Sequence, residues 1–158
     1  VPVTSYILAL GSNRRGRHGS PCCEVQAALA AIGGVRATSR IHETAPLGPS
    51  IRRFANAVAW IDSDETPDAL LRRLKRIERA FGRRRGQRWG ARVIDLDIVL
   101  WSGGCWRGPD LIVPHLHYRT RRFVLAPLAE IAAGWRDPVT GRRTRMLLHA
   151  VDRRRPCA

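Results

Sequence analysis

Apolar and polar positions alternate over residues 4–11, with Tyr6, Leu8 and Leu10 on one face and Ile7 and Ala9 on the other, which predicts a strand. A polar, basic loop follows, and Ser20-Pro21 then supplies an N-cap and a first-turn proline. Val25, Leu29 and Ile32 recur at helical spacing until Gly33-Gly34 stops the run. Residues 36–44 predict a second strand, and 45–53, with two prolines and a glycine, a loop. Residues 54–61 predict a third strand that presents Phe54, Asn56, Val58 and Trp60 on one face. Its other face is small, with Ala55, Ala57, Ala59 and Ile61, which suits close packing of helices. Thr66-Pro67 opens a second helix whose stripe is Leu70, Leu74, Ile77 and Phe81, ending at Gly82. Residues 83–92 read as a basic loop and 92–101 as the fourth strand. Further on, Pro114, Pro127 and Pro138 divide short elements, 143–151 predicts a last helix and 152–158 a frayed tail. The order β-α-β-β-α-β is the split βαβ pattern, so the expected fold is α+β and ferredoxin-like, with short strands and helices added at the C-terminal end.

At 158 residues the chain is expected to form a single domain, 1–158, around one core. No apolar run approaches the ~20 residues of a membrane span, and the first residues lack the basic and apolar regions of a secretory signal. The four cysteines (22, 23, 105 and 157) form no C-x-x-C pair, so neither a disulfide framework nor a zinc site is expected, and a cytoplasmic location fits. The net charge of +15 invites a nucleic-acid partner. Lys75 is the only lysine among 28 basic residues, however, and so uneven a ratio reads equally well as compositional bias. Placement tells more than the total. Residues 83–92 hold five arginines and Trp89, which would serve a small polyanion as well as a nucleic acid.

Chemistry concentrates in the strand Ile94-Asp95-Leu96-Asp97-Ile98-Val99-Leu100. Alternation sends Ile94, Leu96, Ile98 and Leu100 into the core and turns Asp95 and Asp97 the other way together, about 6.6 Å apart. Two like charges on one strand face repel unless a cation lies between them. Oxygen ligands at that spacing suit Mg²⁺, which takes one or two carboxylates plus phosphate oxygens, and a two-metal clamp fits as well. The alternative is a solvated face whose aspartates pair with Arg88 or Arg92. The flanking arginines and Trp89 favour a nucleoside-triphosphate site. The chain carries no Walker-type G-x-x-x-x-G-K-[ST].

These residues resemble a known family. Gly11-Ser12-Asn13, Thr44-Ala45-Pro46-Leu47-Gly48, Phe54-Ala55-Asn56-Ala57, Gly82-Arg83-Arg84-Arg85, Arg88-Trp89-Gly90-Ala91-Arg92 with Asp95-Leu96-Asp97, Val113-Pro114-His115 and Arg121-Arg122-Phe123 occur in that order. Together they are similar to 6-hydroxymethyl-7,8-dihydropterin pyrophosphokinases. The resemblance implies transfer of pyrophosphate from ATP to the pterin hydroxymethyl group, with release of AMP, in folate biosynthesis. It implies two Mg²⁺ ions on Asp95 and Asp97, with Arg83 and Arg92 steadying phosphates. Glu78, Arg85, Trp89, Arg92, Ile98, His115 and Arg121 would serve the ATP side. Thr44, Pro46, Leu47, Phe54, Asn56 and Phe123 would take the pterin, the two phenylalanines stacking on its ring. Read on their own, Phe54 and Phe123 are better taken as ordinary core residues, whereas Asn56 on an apolar strand needs partners. The chain departs from the family pattern at Arg14, at His42 where tyrosine is common, at Lys75 and at Leu116. His42 is expected to bear on packing more than on chemistry. The partners implied are small molecules bound by a monomer. The rival is a basic RNA-binding module, but aspartates on the sheet face would repel a phosphate backbone.

Overall fold

The computed structural model describes residues 2–44, 53–82 and 93–154. Strand β1 (Thr4–Ser12) lies at the centre of a sheet, antiparallel to β4 (Phe54–Ser63) on one side and to β5 (Asp95–Trp101) on the other. Two short strands, β2 (Val35–Thr38) and β3 (His42–Thr44), follow one another along the far edge of β4, both antiparallel to it. Helices α1 (Pro21–Ile32) and α2 (Pro67–Ala80) cover one face. There Tyr6, Leu8, Leu10, Ala57, Ala59, Leu96 and Ile98 meet Val25, Ala28, Leu70 and Leu74, all buried. The alanines of β4 do what small residues on a strand face allow. The caps of α1 are as its sequence suggests: Ser20 accepts the Cys23 N–H, and the Gly33 N–H closes the helix on the Leu29 carbonyl. Thr66 behaves differently, its hydroxyl donating to Asp68 at 2.6 Å.

The expected second strand is divided. Between Thr38, paired with Ala59, and His42, paired with Asn56, four residue steps run against three on β4. Ser39 holds the extra residue: its N–H donates to the Val58 carbonyl and its hydroxyl accepts the Val58 N–H, both at 2.9 Å. A side chain has replaced part of the ladder.

The other face is covered by α3 (Arg122–Ala132) and α4 (Thr144–Arg153), where Ile7, Val58, Val99 and Leu100 pack on Val124, Leu125, Leu128 and Leu147. Helix α3 occupies a region read from sequence as divided at Pro127, which in fact lies inside it. A mid-helix proline forfeits one hydrogen bond, and burial of Val124, Leu125, Leu128 and Ala132 offsets that loss. Helix α4 runs two residues past Val151, so Asp152 and Arg153 belong to it rather than to a tail, and Asp152 accepts from Arg122 Nε at 2.7 Å. Residues 155–158 lie outside the described residues.

Leu100 also departs from expectation. The β1–β5 register pairs Leu8 with Ile98 but Ile7 with Leu100, so one residue of β5 is extra. This bulge turns Leu100 onto the α3 face and sends Trp101 to the other, stacked on Tyr6 with ring centres 6.3 Å apart. A small ribbon, β6 (Trp106–Arg107) and β7 (Ile112–Val113), leads through a cis Val113–Pro114 peptide to His115. The His115 N–H donates to the Val99 carbonyl at 3.0 Å.

The basic loop between β1 and α1 is anchored by Glu24, which is fully buried and accepts both the His18 N–H (2.7 Å) and His18 Nδ1 (2.8 Å). The His18 ring lies against Phe81, centroids 4.7 Å apart. Gly16 is required here, because a Cβ would come within 2.6 Å of Glu24 Oε1.

Candidate active site

Along β1 the α3-covered face changes character. Ile7 is sealed under the helices, whereas Ala9 and Gly11 open into a cavity of about 930 Å³. The register explains what lines it. Ala9 pairs with Asp97, and Gly11 lies between Asp95 on one neighbour and Asn56 on the other. All side chains on these alternate positions face the same way. Gly11 leaves room for Asn56, whose Oδ1 would lie only 3.1 Å from a Cβ at that position.

One wall is the β3–β4 edge, with His42, Thr44, Phe54 and Asn56. The opposite wall is the start of α3, with Arg121 and Phe123. Asp95, Asp97 and His115 form the remaining side. Phe54 and Phe123 are 40% and 50% exposed, so neither is a core residue; each presents a ring to the cavity. The Arg121 guanidinium lies 5.6 Å from the centre of the Phe123 ring.

Burial and the neighbouring Asp95 charge push the Asp97 carboxyl above the usual carboxylate range, with His115, Lys75 and Arg121 pulling the other way. Burial lowers His115 from the ordinary imidazole value, partly countered by Asp97. His115 Nδ1 accepts the His117 N–H at 3.2 Å, which leaves the ring proton of the neutral form on Nε2.

Of the residues singled out from sequence, Thr44, Phe54, Asn56, Asp95, Asp97, His115, Arg121 and Phe123 are brought to this one cavity. Two are not. Ile98 is 2% exposed and its side chain packs under α1 and α2, on the face away from the aspartates. Glu78 is buried as well; its Oε2 accepts the Leu96 N–H at 3.1 Å, bracing the aspartate strand from behind, with Lys75 Nζ 3.4 Å from Oε1. Pro46, Leu47, Arg83, Arg85, Trp89 and Arg92 lie outside the described residues. Sequence reasoning passed over Tyr118, a buried ring in the cavity wall, and the placement of His42. The latter was within reach, since His42 and Thr44 are two apart on a strand.

The donor set favours a hard cation over a softer one. Two carboxylates share a face, one of them destabilised by burial and by the other. Among the described residues no group of three or more His, Cys, Asp or Glu could hold a metal by itself, so further oxygens would have to come with the ligand. Such a site would take a divalent cation together with an oxyanion.

An α+β sheet with one open, half-aromatic and half-acidic end is thus the class of protein defined by the fold. Comparison with known proteins narrows it. Residues 7–133 match the profile of the 7,8-dihydro-6-hydroxymethylpterin-pyrophosphokinase (HPPK) family. A 2-amino-4-hydroxy-6-hydroxymethyldihydropteridine pyrophosphokinase of Pseudomonas aeruginosa is 42% identical over 154 residues, 94% of this chain and 92% of its own. The enzyme of that name from Haemophilus influenzae is 40% identical over 137 residues, 83% and 82% of the two chains. Among solved structures, wild-type Plasmodium falciparum HPPK-DHPS superposes with a TM-score of 0.74 at 14% identity, over 94% of this chain and 41% of that one. At that identity the likeness is one of fold, and this chain spans less than half the length of the solved protein. The chain belongs to the 7,8-dihydro-6-hydroxymethylpterin-pyrophosphokinase family.

Proposed function

We propose that this family member transfers the pyrophosphoryl group of ATP to the hydroxymethyl group of 6-hydroxymethyl-7,8-dihydropterin, in folate biosynthesis. The alcohol oxygen attacks the β-phosphorus, the bond to the α-phosphate oxygen breaks, and AMP leaves. The observation that carries this reading is the meeting, in one cavity, of an aromatic, amide-bearing end and a paired-carboxylate end. A flat bicyclic ring suits exposed Phe54 and Phe123, with Asn56 and Thr44 reading its polar edge. Asp95 and Asp97 would hold magnesium, two ions in our reading, and Mg²⁺ supplies neutralisation of charge on the transferring phosphates. Arg121 and His115 would add donors toward phosphate oxygens. Arg83 and Arg92 are proposed to steady the phosphates, and Arg85 and Trp89 to line the nucleotide.

The topology supports a ferredoxin-like sheet, because two βαβ units each bracket an antiparallel strand. We read residues 1–158 as one domain, since both core clusters share that sheet. We also read the protein as a cytoplasmic monomer without a nucleic-acid partner. Free Cys22, Cys23 and Cys105 support the compartment, and the aspartates on the sheet face speak against a phosphate backbone as partner. No helix among the described residues is long and apolar enough to cross a membrane.

The test is AMP release from ATP and Mg²⁺ with and without the pterin alcohol. AMP is expected only when all three are present. A folded protein that forms none overturns the reading.

A further inference from the structure

Glu130 lies on α3 seven residues after Phe123, two helical turns and about 10 Å along the same face. Its carboxylate reaches across to the β2–β3 connection. One oxygen accepts the Arg40 N–H at 3.0 Å and faces Arg40 Nε at 3.4 Å; the other pairs with His42 Nε2. His42 itself lines the cavity, stands opposite Asn56 in the β3–β4 register, and is followed two residues on by Thr44 opposite Phe54. A single carboxylate therefore joins the two walls that carry the aromatic rings. Burial raises the Glu130 carboxyl, but the Arg40 and His42 bonds more than offset this and hold it below its ordinary range. Ser39 pins the same connection to Val58 on its inner side. The connection is thus fixed to the sheet by one side chain and to α3 by another.

We propose that His42 and Glu130 are a positioning pair that sets the width of the ring slot, by tying the strand edge bearing Thr44 to the helix bearing Phe123. The proposal rests on the reading of this end of the cavity as the pterin slot. It gives His42 a role in substrate recognition that a packing residue lacks. Neither residue needs to touch the ring.

His42→Ala is expected to raise KM for the pterin alcohol about tenfold, the worth of one charge-assisted hydrogen bond, with KM for ATP within about twofold. His42→Gln, which keeps a donor toward Glu130, should recover most of the loss. Glu130→Ala should match His42→Ala, and the double variant should fall short of the combined effect. An unchanged pterin KM in either single variant, equal rises in both KM values, or a failure of glutamine to rescue would each overturn the pairing. Calorimetric titration with 6-hydroxymethylpterin, without ATP, should rank the variants in the same order. A wild-type protein that binds this pterin yet releases no AMP would sink the pyrophosphokinase reading, and the pairing would then stand or fall on the titrations.

Discussion

The same three strands build two unlike regions on one face of the sheet. At one end Ile7, Val58 and Leu100 lie under Leu125 and Leu128; farther along the strands the same face carries Gly11, Asn56, Asp95 and Asp97. The first end is dry and closed, and the second leaves an amide and a carboxylate pair facing a cavity. Helix α3 serves both, burying Leu125 and Leu128 in one and presenting Phe123 to the other. The lesson is that the site is the part of a core that was never completed. Its polar groups stand on the same strands that carry the sealed end.

That division can be broken most severely at the open end. Asp97→Asn or Asp95→Asn should lower turnover by roughly a hundredfold or more without loss of fold, as read by AMP formation and circular dichroism. Near-normal turnover in both would reduce the open end to a solvated strand face. Leu128→Ala strikes the sealed end instead. It should cost about 2–5 kcal/mol in urea denaturation while kcat stays within about threefold below the unfolding range. A larger kinetic than thermodynamic effect would mean the two regions are not separable.

The subtlest test asks what the open end costs. Asp97 is shifted upward in the folded protein, first by burial and then by Asp95, so its contribution to stability is greatest below the unfolded carboxylate value and is lost as pH rises through the folded one. Metal-free Asp97→Asn should therefore melt a few degrees above the wild type near neutral pH, the scale of ~1 kcal/mol in a domain of this size. The gap should close on acidification below the ordinary aspartate range. A gap that persists at low pH would place its origin outside the charge.

Much of this was legible in the chain. Alternation located β1 and β4 and put Phe54 beside Asn56 and Asp95 beside Asp97, because a strand's period is a property of the backbone. Capping signals located α1 and α2. What escaped depends on contacts between distant segments. The break between β2 and β3 is made by Ser39 on Val58, α3 survives Pro127 because it has a core to lie on, and Ile98 is withdrawn from the site by the sheet face it occupies. The convergence of Thr44, His115, Arg121 and Phe123 came from resemblance, not from period, since no local pattern joins four separate segments. His42 shows the limit most sharply: its partner is 88 residues away.

The extra residue in β5 has a consequence for how the chain can vary. It divides the strand into two phases, with Asp95 and Asp97 governed by pairing to Gly11 and Ala9, and Trp101 governed by its stack on Tyr6. Removing Val99 alone would force one half to give up its orientation, and would also take away the carbonyl that receives His115. Length changes beyond Trp101, by contrast, reach a hairpin ribbon whose register is its own. Insertions and deletions should accumulate there and stop short at the bulge, which acts as a mechanical boundary between tolerated drift and a lineage that has lost its aspartates to the wrong side of the sheet.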